Sequence, residues 1–176
     1  MISIIRILCL VLFFQEVFCK AAVASDIVLR RQEILEHYFD YPAKKFNVPK
    51  ALAMAIARQE SGMNPFAVNV AGRNMSQRSK AAALEVAEEA MRRGQSFDVG
   101  LMQVNSWWIK RYNIPLEMLL DPANNVYVGC WILRHEIDNH GLNWTAVGRY
   151  HSPTDWRGTA YSASVKRHLF NILAGR

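Results

Sequence analysis

Residues 49–62 read Pro-Lys-Ala-Leu-Ala-Met-Ala-Ile-Ala-Arg-Gln-Glu-Ser-Gly, and this stretch decides the fold class. Proline at the first helical position gives up an amide that would lack a partner there, and glycine after the last turn supplies a left-handed stop. Between them Leu52, Ile56 and Glu60 recur at i, i+4 and i+8, so one face carries two core side chains and then a carboxyl. Glu60 also sits at the partially negative end of the helix. Partial burial and the dipole both favour its protonated form, the state a general acid must hold. On spacing alone a solvated surface glutamate is the better reading.

Outward from this helix the chain reads as further helices joined by short polar connectors. Asp26 to Tyr41 forms a first helix ending before Pro42. Lys80 to Arg93 forms another, stopped by Gly94 and read as part of an insertion over residues 73–97. Phe97, Val99 and Leu101 alternate with Asp98 and Gly100, the one strand-like pattern, so a small β-hairpin is expected beside a helical bundle. Asp121-Pro122 opens a helix whose stripe Val126, Cys130, Leu133 and Ile137 runs to Gly141, which makes Cys130 a small buried hydrophobe. Asn143 caps a short helix through Gly148, and Thr159 caps a last one with Tyr161, Val165, Leu169 and Ile172 along one side. The fold class is mainly α with a small β element.

Residues 1–24 read as an export signal: Arg6, an apolar run from Ile7 to Phe14, and Ala22-Val23-Ala24 before the cut. The run is shorter than the roughly 20 residues a spanning helix needs, so no stable membrane anchor is expected after cleavage. Residues 25–176 then form one domain, with 51% hydrophobic residues in the full chain to build its core. Cleavage removes Cys9 and Cys19 and leaves Cys130 alone, which excludes a disulfide framework. The formal charge of +6 falls by one with the leader and suits an anionic polymer as partner. No zinc-finger, RNP or glycine-rich phosphate signature accompanies it, so nucleic acid is not expected.

Three ordered segments carry the chemistry: QESGMNPFAVN at 59–69, DVGLMQVNS at 98–106 and AVGRYHS at 146–152. Together they resemble the lysozyme-like lytic transglycosylases, above all the small members associated with secretion, conjugation and pilus systems, over roughly residues 46–170. The resemblance implies a lysozyme-like α+β fold whose β element flanks a sugar cleft, a periplasmic location, and peptidoglycan glycan strands as substrate. Components of a type III or type IV secretion or pilus assembly are the implied protein partners. By motif position Glu60 resembles the single acid/base and Ser61 its neighbour. Gln103 and Asn105 resemble cleft residues, Tyr150 the tyrosine that bonds the glutamate, and Tyr161 a further cleft tyrosine. The third motif departs from the common Ala-Tyr-Asn-x-Gly form, because His151 replaces the asparagine and Pro153 stands near the glycine.

The implied reaction cleaves between N-acetylmuramic acid and N-acetylglucosamine without water and leaves a 1,6-anhydro end. DVGLMQVNSWW also resembles the animal-lysozyme segment that bears a second carboxylate, so Asp98 is either an electrostatic stabiliser or a turn-capping aspartate ahead of Gly100. A hydrolysing muramidase using Glu60 and Asp98 is the enzymatic alternative. A non-catalytic wall-binding assembly factor is the alternative of another class. Of Trp107 and Trp108 one is expected in the core and one partly exposed, while Trp144 and Trp156 are expected to pack. His135 and His140 lie off the i, i+4 spacing of a helical metal pair, so no metal and no cofactor are expected.

Overall fold

The computed structural model describes residues 32–75 and 77–175, together with Val23, Asp26, Ile27, Leu29 and Arg30. Apart from Val23, the expected export signal over residues 1–24 lies outside the described residues. The chain divides into two compact units, residues 1–37 and 38–176. In the first, residues 32–37 are helical. A turn at Tyr38 and Phe39 follows, so the single helix expected over Asp26 to Tyr41 is interrupted. Helix α1 (Asp40–Lys45) then begins with Pro42 in its first turn, where a missing amide costs nothing.

The second unit is built around α2 (Lys50–Ser61). Leu52 through Ala57 are all buried, not just one stripe, because alternating alanines keep the helix thin enough to be enclosed. Burying Leu52, Met54 and Ile56 stabilises the unit by about 1.5–3 kcal/mol each. The helix ends at Gly62, which takes the left-handed conformation at φ 59° as its position requires.

Four short strands follow instead of a hairpin: β1 (Val68–Val70), β2 (Arg73–Asn74), β3 (Phe97–Val99) and β4 (Val104–Asn105). They form one antiparallel sheet in the order β2-β1-β3-β4. Register pairs Asn69 with Asp98 and Asp98 with Asn105, and beside them Val68 with Val99 and Val99 with Val104. Partners across a ladder share a face, so a polar row of Asn69, Asp98 and Asn105 runs across one side and a valine row across the other. The three valines are buried. Helix α3 (Lys80–Arg92) lays Ala83, Ala87 and Ala90 into the same cluster as Phe97 and Val99, so the segment read as an insertion belongs to the core.

Helices α4 (Ser106–Tyr112) and α5 (Leu116–Leu119) lead into α6 (Pro122–His140), whose first turn is capped by the Asp121 carboxylate accepting from the Asn124 amide. Its expected stripe of Val126, Cys130, Leu133 and Ile137 is buried. Burial pushes the Cys130 thiol up to about 12. Asn143 caps α7 (Trp144–His151) by accepting from the Thr145 and Ala146 amides, and the helix runs past Gly148 to His151. Helix α8 (Asp155–Leu173) starts after Thr154, not at Thr159, whose hydroxyl bonds the Asp155 carbonyl inside the helix. The early start follows from Asp155, an acid in the positive first turn. α8 packs along both α7 and α2. Gly148 and Gly158 face each other so closely that a Cβ on Gly148 would lie 2.8 Å from the Gly158 carbonyl oxygen.

Candidate active site

A groove of about 1270 Å³ is lined by residues from α2, the sheet, α4, α6, α7 and α8. Glu60, Asp98, Gln103, Asn105, Tyr150 and Tyr161, all singled out from sequence, converge on it. Ser61 supports it from behind: its hydroxyl donates to the Leu101 carbonyl at 2.8 Å and to the Ala57 carbonyl at 3.1 Å. The serine thereby ties the end of α2 to the turn after β3.

Glu60, the last residue but one of α2, is 12% exposed and lies 3.6 Å from Nδ1 of His151 through its Oε1. The imidazole lies flat against Tyr161, with ring centroids 4.4 Å apart and planes within 2°. Hydrogen bonding toward Glu60 raises the His151 pKa above its ordinary 6.5, against burial, which lowers it. His151 is therefore the polar neighbour of the carboxyl, a place that sequence reasoning left open.

Asp98 stands in the middle strand of the polar row, where its Oδ1 accepts from Asn105 Nδ2 at 2.7 Å. Asn105 uses its own amide oxygen to cap α4, accepting from the Trp107 amide at 2.8 Å. One residue thus joins the start of a helix to the second carboxylate. Burial holds the Asp98 carboxyl above its ordinary 3.8; the Asn105 bond opposes this, and the charge of Glu60 adds to it. The two carboxyls share one electrostatic environment.

The turn Gly100 to Gln103 forms the wall between them. Gly100 has φ +82° and lies against Asn125, so that a Cβ there would come within 2.0 Å of the Asn125 side-chain nitrogen. Asn125, fully buried on α6, accepts from the Met102 amide at 2.8 Å and donates to the Val99 and Leu119 carbonyls at 2.9 Å each. Gln103 takes a left-handed φ of 46° and spends its amide protons on the Ala67 and Gly100 carbonyls. Asn125 escaped sequence reasoning, and the signal available was an asparagine in the apolar phase of α6, four residues before Gly129.

Tyr150 was expected to bond the glutamate; its hydroxyl instead donates to the Met102 carbonyl at 2.7 Å and locks the same turn. Burial, and after it the charge of Glu60, push the Tyr150 pKa well above the usual tyrosine value. The same two causes lead for Tyr161, and Tyr150 and a hydrogen bond with Glu60 act in the same direction. Trp108 packs edge-on against Trp131 at 5.2 Å while Trp107 is 55% exposed, the expected division. Trp144 and Trp156 do not pack as expected: they are 40% and 69% exposed. Both lie beside cations, Lys166 over Trp144 and Arg157 over Trp156, which substitutes for burial of the rings. Trp156 and Trp107 line the groove.

A mainly α, lysozyme-like domain with two neighbouring carboxyls in an open groove is the class that this fold and site define. The Transglycosylase SLT domain model matches residues 37–164, and the chain belongs to that family. Invasion protein IagB of Salmonella typhi is 36% identical over 115 residues, which is 63% of this chain and 59% of that protein. The match therefore spans less than two thirds of that relative. Protein IpgF of Shigella sonnei is 31% identical over 144 residues, 77% of this chain and 81% of its own. The Type IV secretion system protein virB1 of Brucella abortus is 32% identical over 87 residues, 48% of this chain and 36% of its own.

Proposed function

We propose that the protein is an exported, periplasmic lytic transglycosylase that cuts the bond between N-acetylmuramic acid and N-acetylglucosamine in peptidoglycan and so opens the wall locally for a secretion, conjugation or pilus apparatus. The observation that carries this reading is the setting of Glu60: a carboxyl only 12% exposed, at the end of a buried helix, lining a groove of about 1270 Å³. Membership of the transglycosylase SLT domain family supports the reaction class. The names of the Salmonella and Brucella relatives, an invasion protein and a type IV secretion system protein, support the setting.

In the proposed reaction protonated Glu60 gives its proton to the bridging oxygen as the bond to the muramoyl anomeric carbon breaks. The resulting carboxylate then takes the proton of the muramoyl C6 hydroxyl as that oxygen closes on the same carbon. No water is consumed and the carboxyl ends as it began. Asp98, close enough to feel the charge of Glu60, stabilises the positive charge at the anomeric carbon. Tyr150, Asn125 and Ser61 keep the turn between the two carboxyls in place, while Gln103, Asn105 and the exposed face of Trp107 offer polar and flat apolar contacts to the sugar rings.

A hydrolytic reading is favoured by one observation, the seating of Asp98 in the groove beside Glu60. Digestion of purified sacculi followed by mass spectrometry separates the two, because the anhydro product is one water lighter. Glu60→Gln should lower turnover by about 10²–10⁴-fold with an unchanged circular-dichroism spectrum, since that is what a positioned general acid contributes. Full turnover in that variant would remove Glu60 from the acid role, whereas absence of turnover in the wild type would leave the wall-binding alternative.

A further inference from the structure

His151 closes α7 and presents its Nδ1 to Glu60. The parallel stack on Tyr161 sets the plane of the ring, and Nδ1 stands 3.6 Å from Oε1 of the carboxyl. The two side chains differ in access: His151 is 47% exposed and Glu60 12%. The carboxyl is the more shielded of the two and the imidazole the more exposed.

The charges around the ring come from every element packed on it. Glu60 on α2 favours the imidazolium foremost, and Asp98 on β3 adds to this; Arg157 on α8 opposes it. Tyr161 on α8 and Tyr150 on α7 present neutral phenols, both held far from ionisation by burial. The C-terminal end of α7 adds its own partial negative charge. Two carboxyls and a helix end face one guanidinium, so the ring keeps its proton to higher pH than a free histidine.

We infer that Glu60 and His151 work as a couple holding one shared proton, in which His151 is a positioning residue that aims the carboxyl through Nδ1 and stores the proton Glu60 must carry when it meets the sugar oxygen. This rests on the reading of Glu60 as the acid. The transfer is balanced within the pair: the Nδ1–H bond breaks, an O–H bond forms on Oε1, and an ion pair becomes two neutral groups. Such a couple loses its last proton at a pH that belongs to both members. The alkaline limit of activity is then set by the pair and lies above the limit a lone carboxyl would give.

The test uses the full protein and two readouts. Initial rates on sacculi, taken from about pH 4 to pH 9, give the alkaline midpoint of kcat/KM for the wild type and for His151→Asn. The wild-type midpoint should lie above 6.5, and His151→Asn should move it toward acid by at least about one pH unit. Independently of activity, NMR titration of the His151 ring should give a lower pKa in Glu60→Gln than in the wild type. A midpoint unmoved in His151→Asn, or an imidazole that titrates identically in the two proteins, overturns the couple. Full turnover by Glu60→Gln is a different result, since it overturns the acid reading first and the couple with it.

Discussion

Replacing Asn125 by alanine removes the amide on which the turn between the two carboxyls is hung. Three bonds disappear together: Met102 N–H to Oδ1 at 2.8 Å, and Nδ2 to the Val99 and Leu119 carbonyls at 2.9 Å each. Val99, Met102 and Leu119 are themselves at 0% exposure, so their backbone groups are left without partners in the interior. An orphaned buried group costs about 1–3 kcal/mol, and water entering the vacated space offsets part of it, which sets the expected loss at about 3–5 kcal/mol. In a domain of this size each kcal/mol lowers Tm by roughly 2–4 °C, so the midpoint should fall by about 10 °C. Urea unfolding followed by circular dichroism measures the loss directly, with the m-value unchanged. Asn125→Leu restores volume but no bond and should be destabilised as well. A loss below about 1 kcal/mol in Asn125→Ala would refute the view that this side chain holds the turn.

Asp98→Asn should be more stable than the wild type at neutral pH. Burial raises the folded-state pKa of Asp98 above its ordinary 3.8, so the folded protein binds this proton more tightly than the unfolded chain, and the associated stability is lost as pH rises through the raised value. The variant's advantage in urea midpoint should therefore be present at pH 7 and disappear below 3.8, and equal midpoints at both pH values would show that burying the charge has no cost. Gly148→Ala should destabilise by about 1–3 kcal/mol, because the new Cβ would meet the Gly158 carbonyl of a packed helix. An unchanged thermal midpoint would mean that the α7–α8 crossing can spread without loss.

The helices were legible where a stripe and a stop coincide. Asp121-Pro122, the four-residue spacing from Val126 to Cys130, and Gly141 leave little freedom for α6, and Gly62 dates the end of α2 to the residue after Ser61. The sheet was legible only at β3, because strands of two or three residues, such as Val68–Val70 and Arg73–Asn74, are too short to show a period. Thr159 misled as a cap because its hydroxyl has a carbonyl to bond within the helix, while Thr154, the true boundary, makes no side-chain cap bond at all. In the site, the resemblance of the motifs bearing Glu60, Asp98 and Gln103 implied a cleft, but partners lie in three dimensions. Nothing in the sequence places Tyr150 on Met102 rather than Glu60, or puts His151 beside the carboxyl.

The bonds that seat the reactive turn join residues far apart along the chain: 23 positions for Asn125 and Met102, 36 for Gln103 and Ala67, 40 for Ser61 and Leu101, and 48 for Tyr150 and Met102. Closing such loops loses chain entropy before any of these contacts can form, so local helices nucleate early and this cradle is completed late. A half-folded chain can hold most of its helices and still have no seat for Glu60. For a molecule proposed to cut the wall of the cell that makes it, topology then acts as the safety catch, releasing the chemistry only when the last long-range closure is made.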